Sequence, residues 1–269
     1  MGFLKYAVLI LFLLFTLAPF YWAVAASLKL PQELFAPQPS LIPRHPVMQN
    51  YVALFRQTEL PRWMLNSAIV AVGSTLLGVF FCSLAGFAFG KYSFRGKDLL
   101  FLVVLGSVSI PQAVTIVPAF ALMARIGWLN SYRALILPGA ANAFGIFLMR
   151  QYMQSIPDEI MDAGRIDGCT EIGIFWRLIL PVIRPALGAL AIFLFLTAWT
   201  SYLWPLVMLS SSSMYTMPLG LATLYANPWN IEYGMLMAGA VISVLPIIIV
   251  FVLMQKQFIA GLTQGAVKA

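Results

Sequence analysis

The chain is poor in charge. Of its 269 residues only 9% are charged, and the sequence has 9 acidic residues, 1 histidine and 2 cysteines against 61% hydrophobic residues. A typical soluble domain carries about 25% charged residues, so an ordinary soluble globular protein is excluded. Cys82 and Cys169 match no metal-ligand spacing and imply no disulfide framework. With a mean hydropathy of +0.90, the composition indicates a polytopic membrane protein.

Signals for enzyme chemistry are also scarce. The segment AGFAFGKY, residues 85–92, fails as a phosphate-binding loop because Ala85 replaces the first glycine and Tyr92 replaces the final serine or threonine. His45 stands in a loop with no ligand at metal-binding spacing, so a solvated histidine is the preferred interpretation. The middle of each apolar stretch lacks carboxylates, bases and histidine, which disfavours an ion-driven carrier, although backbone carbonyls can also bind sodium.

Six apolar stretches are long enough to be transmembrane helices, which need about 20 residues each. They are residues 6–28, 63–90, 99–123, 134–153, 185–209 and 234–254. The first resembles a secretory signal, but its apolar run is too long for one, so we expect it to be retained. The sequence therefore predicts an all-α polytopic membrane protein with a single domain over residues 1–269 and a polar loop at 155–184.

The distribution of lysine and arginine predicts the orientation. With the N-terminus inside, the cytoplasmic side holds ten of these residues and the other side holds six. The first set is Lys5, Lys91, Arg95, Lys97, Arg150, Arg165, Arg177, Arg184, Lys256 and Lys268; the second is Lys29, Arg44, Arg56, Arg62, Arg125 and Arg133. Both termini and the polar loop are thus predicted to be cytoplasmic. The +7 net charge reflects membrane topology and does not indicate nucleic-acid binding.

The polar loop contains the signals of two short helices. Ser155 as a cap and Pro157 in the first turn predict that one helix begins near Pro157. Gly168 then turns the chain, Thr170 caps a second, more apolar helix, and Pro181 ends it. Helices this short are marginal alone in water, so we expect the second to lie on the helical bundle and the first to meet a partner.

The loop is also acidic. Five of the 9 acidic residues lie between Asp158 and Glu171, and Arg165 is the only base among residues 158–167. Anionic lipid would repel this excess, so a protein partner explains it better than an amphipathic connector on the lipid surface. A simply solvated acidic loop is the alternative that remains open.

Polar residues within the apolar stretches are candidates for a substrate path. Helix-interrupting prolines, which occur around transport paths, stand at Pro111, Pro118 and Pro138. The candidate path residues are Gln112, Asn142, Trp199 and Tyr202. Their side chains suit sugar hydroxyls and sugar rings, and helix packing or interface anchoring explains each of them as well.

Small residues recur every four positions in the second stretch, at Ser74, Gly78, Cys82, Gly86 and Gly90. This spacing lets another helix approach closely in lipid. General packing within the bundle is the preferred interpretation, and a seam between subunits is the alternative.

At the polar loop the sequence resembles the membrane subunits of bacterial ABC importers. Their loop carries Glu-Ala-Ala, three residues, Gly, nine residues, Ile, one residue and Leu-Pro. The pattern falls here on Asp162, Ala163, Gly164, Gly168, Leu178, Leu180 and Pro181. Three positions depart from it: Asp162 replaces Glu, Gly164 replaces Ala and Leu178 replaces Ile.

The similarity extends over most of the chain and points to the carbohydrate branch, in particular to the second membrane subunit of maltose-type importers. The segments that carry it include 66–75, 84–98, 110–118 and 255–268. The resemblance implies a permease in a prokaryotic plasma membrane, coupled to its ATPase through Asp162, Ala163, Gly164, Asp167 and Gly168.

The resemblance also implies the partners: a second permease in a heterodimer, two ATPase subunits that bind ATP and Mg²⁺, and an extracytoplasmic substrate-binding protein. This chain itself is then expected to be non-catalytic and to bind no cofactor or metal. Two alternatives remain open: a stand-alone secondary carrier or channel, and a membrane scaffold or sensor whose acidic loop recruits a cytosolic protein.

Overall fold

The computed structural model describes residues 2–38, 40–225 and 231–264, and the regular elements within these ranges are all helical. The predicted all-α membrane fold is confirmed. Lys268 and the end of segment 255–268 lie outside the described residues. The helices are α1 Gly2–Ser27, α2 Pro31–Leu34, α3 Gln49–Gln57, α4 Leu60–Lys91, α5 Lys97–Val108, α6 Gln112–Arg125, α7 Tyr132–Ile136, α8 Ala143–Gln154, α9 Glu159–Ile166, α10 Glu171–Ile174, α11 Leu180–Val182, α12 Arg184–Trp199, α13 Leu203–Met208, α14 Met217–Thr223 and α15 Tyr233–Gln264. A π-helical stretch, Phe175–Ile179, joins α10 to α11, and Ser212–Met214 forms a 3₁₀ turn.

Three helices, α1, α4 and α15, are long and apolar enough to cross a membrane in the part of the chain that the structure describes. Two bent pairs raise this number to 5 if each pair is one span: α5 with α6, bent by 103°, and Glu171–Val182 with α12, bent by 83°. The six spans and their bounds stay a prediction. α1 packs on α15 and exposes large apolar side chains such as Phe12 and Phe15, as expected of a helix that faces lipid.

Three of the predicted stretches are divided in the structure. Residues 99–123 break before Pro111, which lacks the N–H that a continuous helix needs, whereas Pro118 lies inside α6. Pro138 stands in the break between α7 and α8, and residues 200–202 separate α12 from α13. Such breaks in a membrane bundle are tolerated where protein or a wet cavity surrounds the freed backbone groups.

The core forms where α4 meets α8 and α12. A Cβ added at Gly86 would stand 2.4 Å from Cβ of Met149, and one at Gly90 would stand 2.5 Å from Cβ of Met153. Gly78 meets Leu194 of α12 in the same way, at 2.7 Å. These small residues therefore serve packing inside the chain, as the preferred interpretation of their spacing predicts.

Candidate functional site

The polar loop begins with α9, which starts later than the sequence predicts. The Ser155 hydroxyl donates to the carbonyl of Tyr152 at 2.8 Å, so Ser155 closes α8 and does not cap the next helix. The carbonyl of Asp158 accepts from the N–H groups of Met161 and Asp162, and α9 runs over Glu159–Ile166. The predicted start near Pro157 is therefore displaced, because the capping hydroxyl is already bonded to the preceding helix.

The turn after α9 follows the prediction. Gly168 has a φ of +78°, a left-handed conformation that favours glycine. Its N–H donates to the carbonyl of Arg165 at 3.0 Å. Thr170 caps α10, with its hydroxyl accepting from the N–H of Gly173 at 3.1 Å. The two-helix form of the loop is thus encoded locally.

The second helix ends one residue after the predicted end at Pro181. The helical chain continues through Pro181 to Val182 and bends by 83° only before α12. The π-helical stretch before it explains why. The Leu180 N–H donates to the carbonyl of Phe175, so the regular α-helical hydrogen bonding is already interrupted at the point where Pro181 provides no N–H donor. A proline that follows a π-bulge can remain in a helix.

The second half of the loop is embedded in the bundle core. Ile174, Phe175 and Ile179 are buried together with residues of α4, α8 and α12. Gly164 of α9 lies against this half, since a Cβ there would stand 2.6 Å from Cδ1 of Leu178 and 3.1 Å from Cγ1 of Ile174. Gly164 therefore faces its own chain, whereas Asp162, Ala163, Asp167 and Gly168 are exposed.

Two sets of polar contacts tie the loop to the end of α4. Lys91 Nζ lies 2.6 Å from Oδ1 of Asp158 and also donates to the carbonyl of Ile156; its side chain is only 3% exposed. Tyr92 donates to the carboxylate of Glu171. A helix as short as α9 is marginal alone, so these contacts position it on the bundle.

Arg165 completes the second set. Its Nε lies 2.9 Å from Oε1 of Glu171, and its Nη1 lies 2.9 Å from Oδ1 of Asp162. Three of the loop's five acidic residues are therefore paired within the chain. Glu159 and Asp167 form no ion pair with any described residue, which leaves them for the solvent or a partner.

The titration of these groups fits this arrangement. The hydrogen bond from Lys91 lowers the pKa of Asp158, and the hydrogen bonds from Arg165 and Tyr92 lower the pKa of Glu171. Burial, followed by the Glu171 carboxylate, raises the pKa of Tyr92 to about 12. At neutral pH the carboxylates are therefore charged and the tyrosine keeps the proton that it donates.

The outer surface of the loop combines acidic groups with exposed apolar side chains. Ile166 is 86% exposed and Ile172 is 73% exposed, and Asp167 follows Ile166 directly. Exposed apolar groups rimmed by polar residues are typical of a protein-binding surface.

A cavity of about 300 Å³ lies among α4, α6, α12 and α13 and the break between α7 and α8. Its polar lining residues are Ser74, Gln112, Thr115, Asn142, Thr197, Ser201 and Trp204. A second cavity, of about 490 Å³, shares Gln112 and Asn142 with it. The lining of the first cavity contains no ionisable side chain.

The structure brings together two of the four residues predicted for the substrate path, Gln112 and Asn142. Trp199 is 3% exposed and is used in packing: its Nε1 donates to the carbonyl of Ser243 at 3.0 Å and its ring stacks on Phe195. Tyr202 is exposed and does not line the first cavity.

The prediction missed Ser201 and Trp204, which belong to the same polar stretch as Trp199, and Ser74 of α4. The sequence did not predict the helix break at residues 200–202. This break separates Trp199, which is used in packing, from Trp204, which lines the cavity. Groups of three or more potential metal ligands are absent from the described residues, and His45 is exposed.

Comparisons with known proteins, by sequence and by fold, all match proteins of membrane transport systems. A family model described as "binding-protein-dependent transport system inner membrane component" matches residues 52–264. The chain is 40% identical to an arabinooligosaccharides transport system permease protein of Halalkalibacterium halodurans, over 91% of this chain and 88% of that protein. It is 33% identical to a lactose transport system permease protein of Rhizobium radiobacter, over 98% of this chain and 95% of that protein. A chain from a bacterial ABC transporter involved in alginate import has the same fold, with a TM-score of 0.86, 22% identity and 96% coverage of both chains.

Proposed function

The chain belongs to the family of inner membrane components of binding-protein-dependent transport systems, and from this premise we propose that the substrate it helps to import is a sugar or sugar derivative. It is a permease subunit of an ATP-binding-cassette importer. The relatives named for arabinooligosaccharides and for lactose match nearly the whole chain, which supports a sugar substrate.

We further propose that α9 docks on a separate ATPase subunit, where ATP and Mg²⁺ bind, and that the permease itself is not catalytic. One observation carries this proposal: α9 is clamped to α4 through Lys91 and Asp158 and rests on Leu178 through Gly164, while Ala163 and Asp167 stay exposed. A helix that is fixed to its own chain on one face and exposed on the other is suited to transmit force between two proteins.

The force would pass into the membrane through the second half of the loop. Ile174 and Ile179 are fully buried in the cluster that contains Met149 of α8 and Leu190 of α12. Close-packed interiors transmit strain and do not absorb it. Movement of α9 on the ATPase would therefore shift α8 and α12, and with them the cavity, between outward and inward access.

The remaining partners in this proposal are a second permease subunit, which forms a heterodimer with this chain, two ATPase subunits and an extracytoplasmic substrate-binding protein. The loop and both termini face the cytoplasm of a prokaryotic cell, as the lysine and arginine count predicts. Apolar surface that the bundle leaves exposed is then shared between lipid and the second permease.

Crosslinking tests the docking. In a chain with Cys169→Ser, the single substitutions Ala163→Cys and Asp167→Cys place a thiol on the exposed side of the loop, and Glu59→Cys places one before α4, at its other end. We expect a bifunctional thiol reagent to capture the ATPase subunit from the first two positions and not from the third. Sugar uptake by the purified chain alone in liposomes, without ATPase subunits, would instead show a stand-alone carrier.

A further inference from the structure

We propose that the cavity of about 300 Å³ binds one ring of an uncharged sugar, with Trp204 as its stacking surface and Ser74, Gln112 and Ser201 as its hydrogen-bonding groups. This inference rests on the proposed sugar import and adds that this subunit itself contacts the sugar. It replaces Trp199 and Tyr202 of the predicted path with residues that line the cavity.

Trp204 is suited to stacking because its position is fixed. Its Nε1 donates to the carbonyl of Ala134 at 2.9 Å, and the half-buried side chain packs against the core cluster that contains Ala134, Leu135 and Met208. The hydrogen bond satisfies the polar edge of the indole, which leaves the apolar ring surface for other contacts. A rigid aromatic surface gives a ligand ring large contact at a small entropic cost.

The hydrogen-bonding groups are available to a ligand. The hydroxyls of Ser74 and Ser201 and the amide of Gln112 form no hydrogen bond with any described residue, whereas Thr197 donates to the carbonyl of Phe193 at 2.8 Å. Asn142 uses Oδ1 to cap α8, and its Nδ2 has no partner within the described ranges. Polar groups at membrane depth need partners, and sugar hydroxyls both donate and accept.

The absence of charge in the lining restricts the ligand. All 14 lining residues lie in the described part of the chain and none is ionisable. An acidic sugar would lose the hydration of its carboxylate here without gaining a counter-charge, which is costly. The volume of about 300 Å³ is at the lower end of the roughly 300–1,000 Å³ typical of small-molecule sites, which fits one ring of a longer saccharide.

Uptake by the complete importer tests this assignment. The wild type, Trp204→Leu, Trp204→Phe and the matched control Trp199→Phe are reconstituted in proteoliposomes with their partner subunits and binding protein. The labelled probes are arabinotriose, lactose, maltose and the acidic trigalacturonate. We expect Trp204→Leu to reduce uptake of the transported neutral sugar about tenfold and Trp204→Phe to restore most of it. Trp199→Phe should match the wild type, and ATP hydrolysis stimulated by the loaded binding protein should persist in all four.

Equal uptake by Trp204→Leu and Trp199→Phe would overturn the site and leave the importer function intact. Uptake of trigalacturonate as fast as that of the neutral sugar would overturn the uncharged class. If the wild type takes up none of these sugars although ATP hydrolysis is stimulated, the proposed sugar import is overturned. The proposed ligand of the cavity is then overturned as well.

A thiol measurement covers the case in which Trp204→Leu does not assemble. In the importer carrying Cys169→Ser and Ser201→Cys, the neutral sugar should slow alkylation by N-ethylmaleimide at least about threefold, as a bound ring shields the thiol. Unchanged alkylation with saturating neutral sugar would overturn the site.

Discussion

Gly164 and Leu178 pack against each other across the two halves of the loop: a Cβ at Gly164 would stand 2.6 Å from Cδ1 of Leu178. They are two of the three positions at which the loop departs from the importer pattern, which has Ala and Ile there. A smaller residue on α9 thus accommodates a side chain that reaches further from the facing helix. We expect the two departures to compensate for each other.

Gly164→Ala is therefore expected to slow uptake. Overpacking typically costs about 1–3 kcal/mol, against a gain of about 0.5–1 kcal/mol from replacing glycine inside a helix. Adding Leu178→Ile should restore uptake, because the branched side chain places less bulk towards α9. Initial uptake rates in proteoliposomes check both variants, and a double variant that is as slow as the single one would contradict the compensation.

Gly168→Pro is expected to abolish uptake while the chain still inserts into the membrane. Proline cannot adopt the φ of +78° at this turn, and it removes the N–H that donates to Arg165. Gly96→Pro is a matched control, since Gly96 has a φ of +80° with nothing within 4 Å. Uptake should survive in the control, and normal uptake by Gly168→Pro would refute the role given to the turn.

Lys91→Met is expected to uncouple the importer more than Asp158→Asn. Lys91 also donates to the carbonyl of Ile156, so its loss leaves two acceptors without their donor, whereas Asp158→Asn keeps that second contact. The ratio of sugar imported to ATP hydrolysed measures the coupling. Equal ratios in the two variants would show that the contact with Ile156 does not matter.

The Tyr92 hydroxyl is expected to stay protonated beyond the usual range of tyrosine. Its pKa is raised from 10.0 to about 12, so its stabilisation of the loop is complete below pH 10 and is lost as the pH rises through about 12. Absorbance at 295 nm, compared between the wild type and Tyr92→Phe, should show no difference in tyrosinate between pH 9 and 11. A difference centred near pH 10 would contradict the partial burial of this hydroxyl and its bond to Glu171.

Labelling of the two native cysteines is expected to show on which side of the membrane the loop lies. Cys82 is buried in α4 and Cys169 is partly exposed beside Gly168. A membrane-impermeant maleimide should label Cys169 in inside-out vesicles and fail to do so in right-side-out vesicles, with Cys169→Ser as the unlabelled control. The opposite pattern would reverse the predicted orientation.

Features with local causes were predictable from the sequence. Gly168 and Thr170 mark their turn and cap by residue type alone, and the acidic run marks the loop. The helix runs one residue past Pro181 after a π-helical stretch whose Phe175 and Ile179 are buried in the core, and residue type alone did not predict that stretch. The direction in which Gly164 faces was equally a matter of tertiary contact.

The cavity shows the same limit. Trp199 and Trp204 stand in one short stretch, and residue type gives no reason to separate them. Their roles diverge because the helix breaks between them, so that one indole donates to the carbonyl of Ser243 and the other to that of Ala134. Those acceptors belong to distant parts of the chain, which a local pattern does not reveal.

The position of α1 has an evolutionary consequence. Its helix packing is on α15, and the family match begins at residue 52, beyond it. Phe12 is 69% exposed and Phe15 is 82% exposed, so little within the chain constrains which apolar residue stands at either position. Among orthologues we expect the amino-acid sequence of α1 to vary widely while its length is conserved. Bilayer thickness constrains the length of a transmembrane helix and not the identity of its apolar side chains.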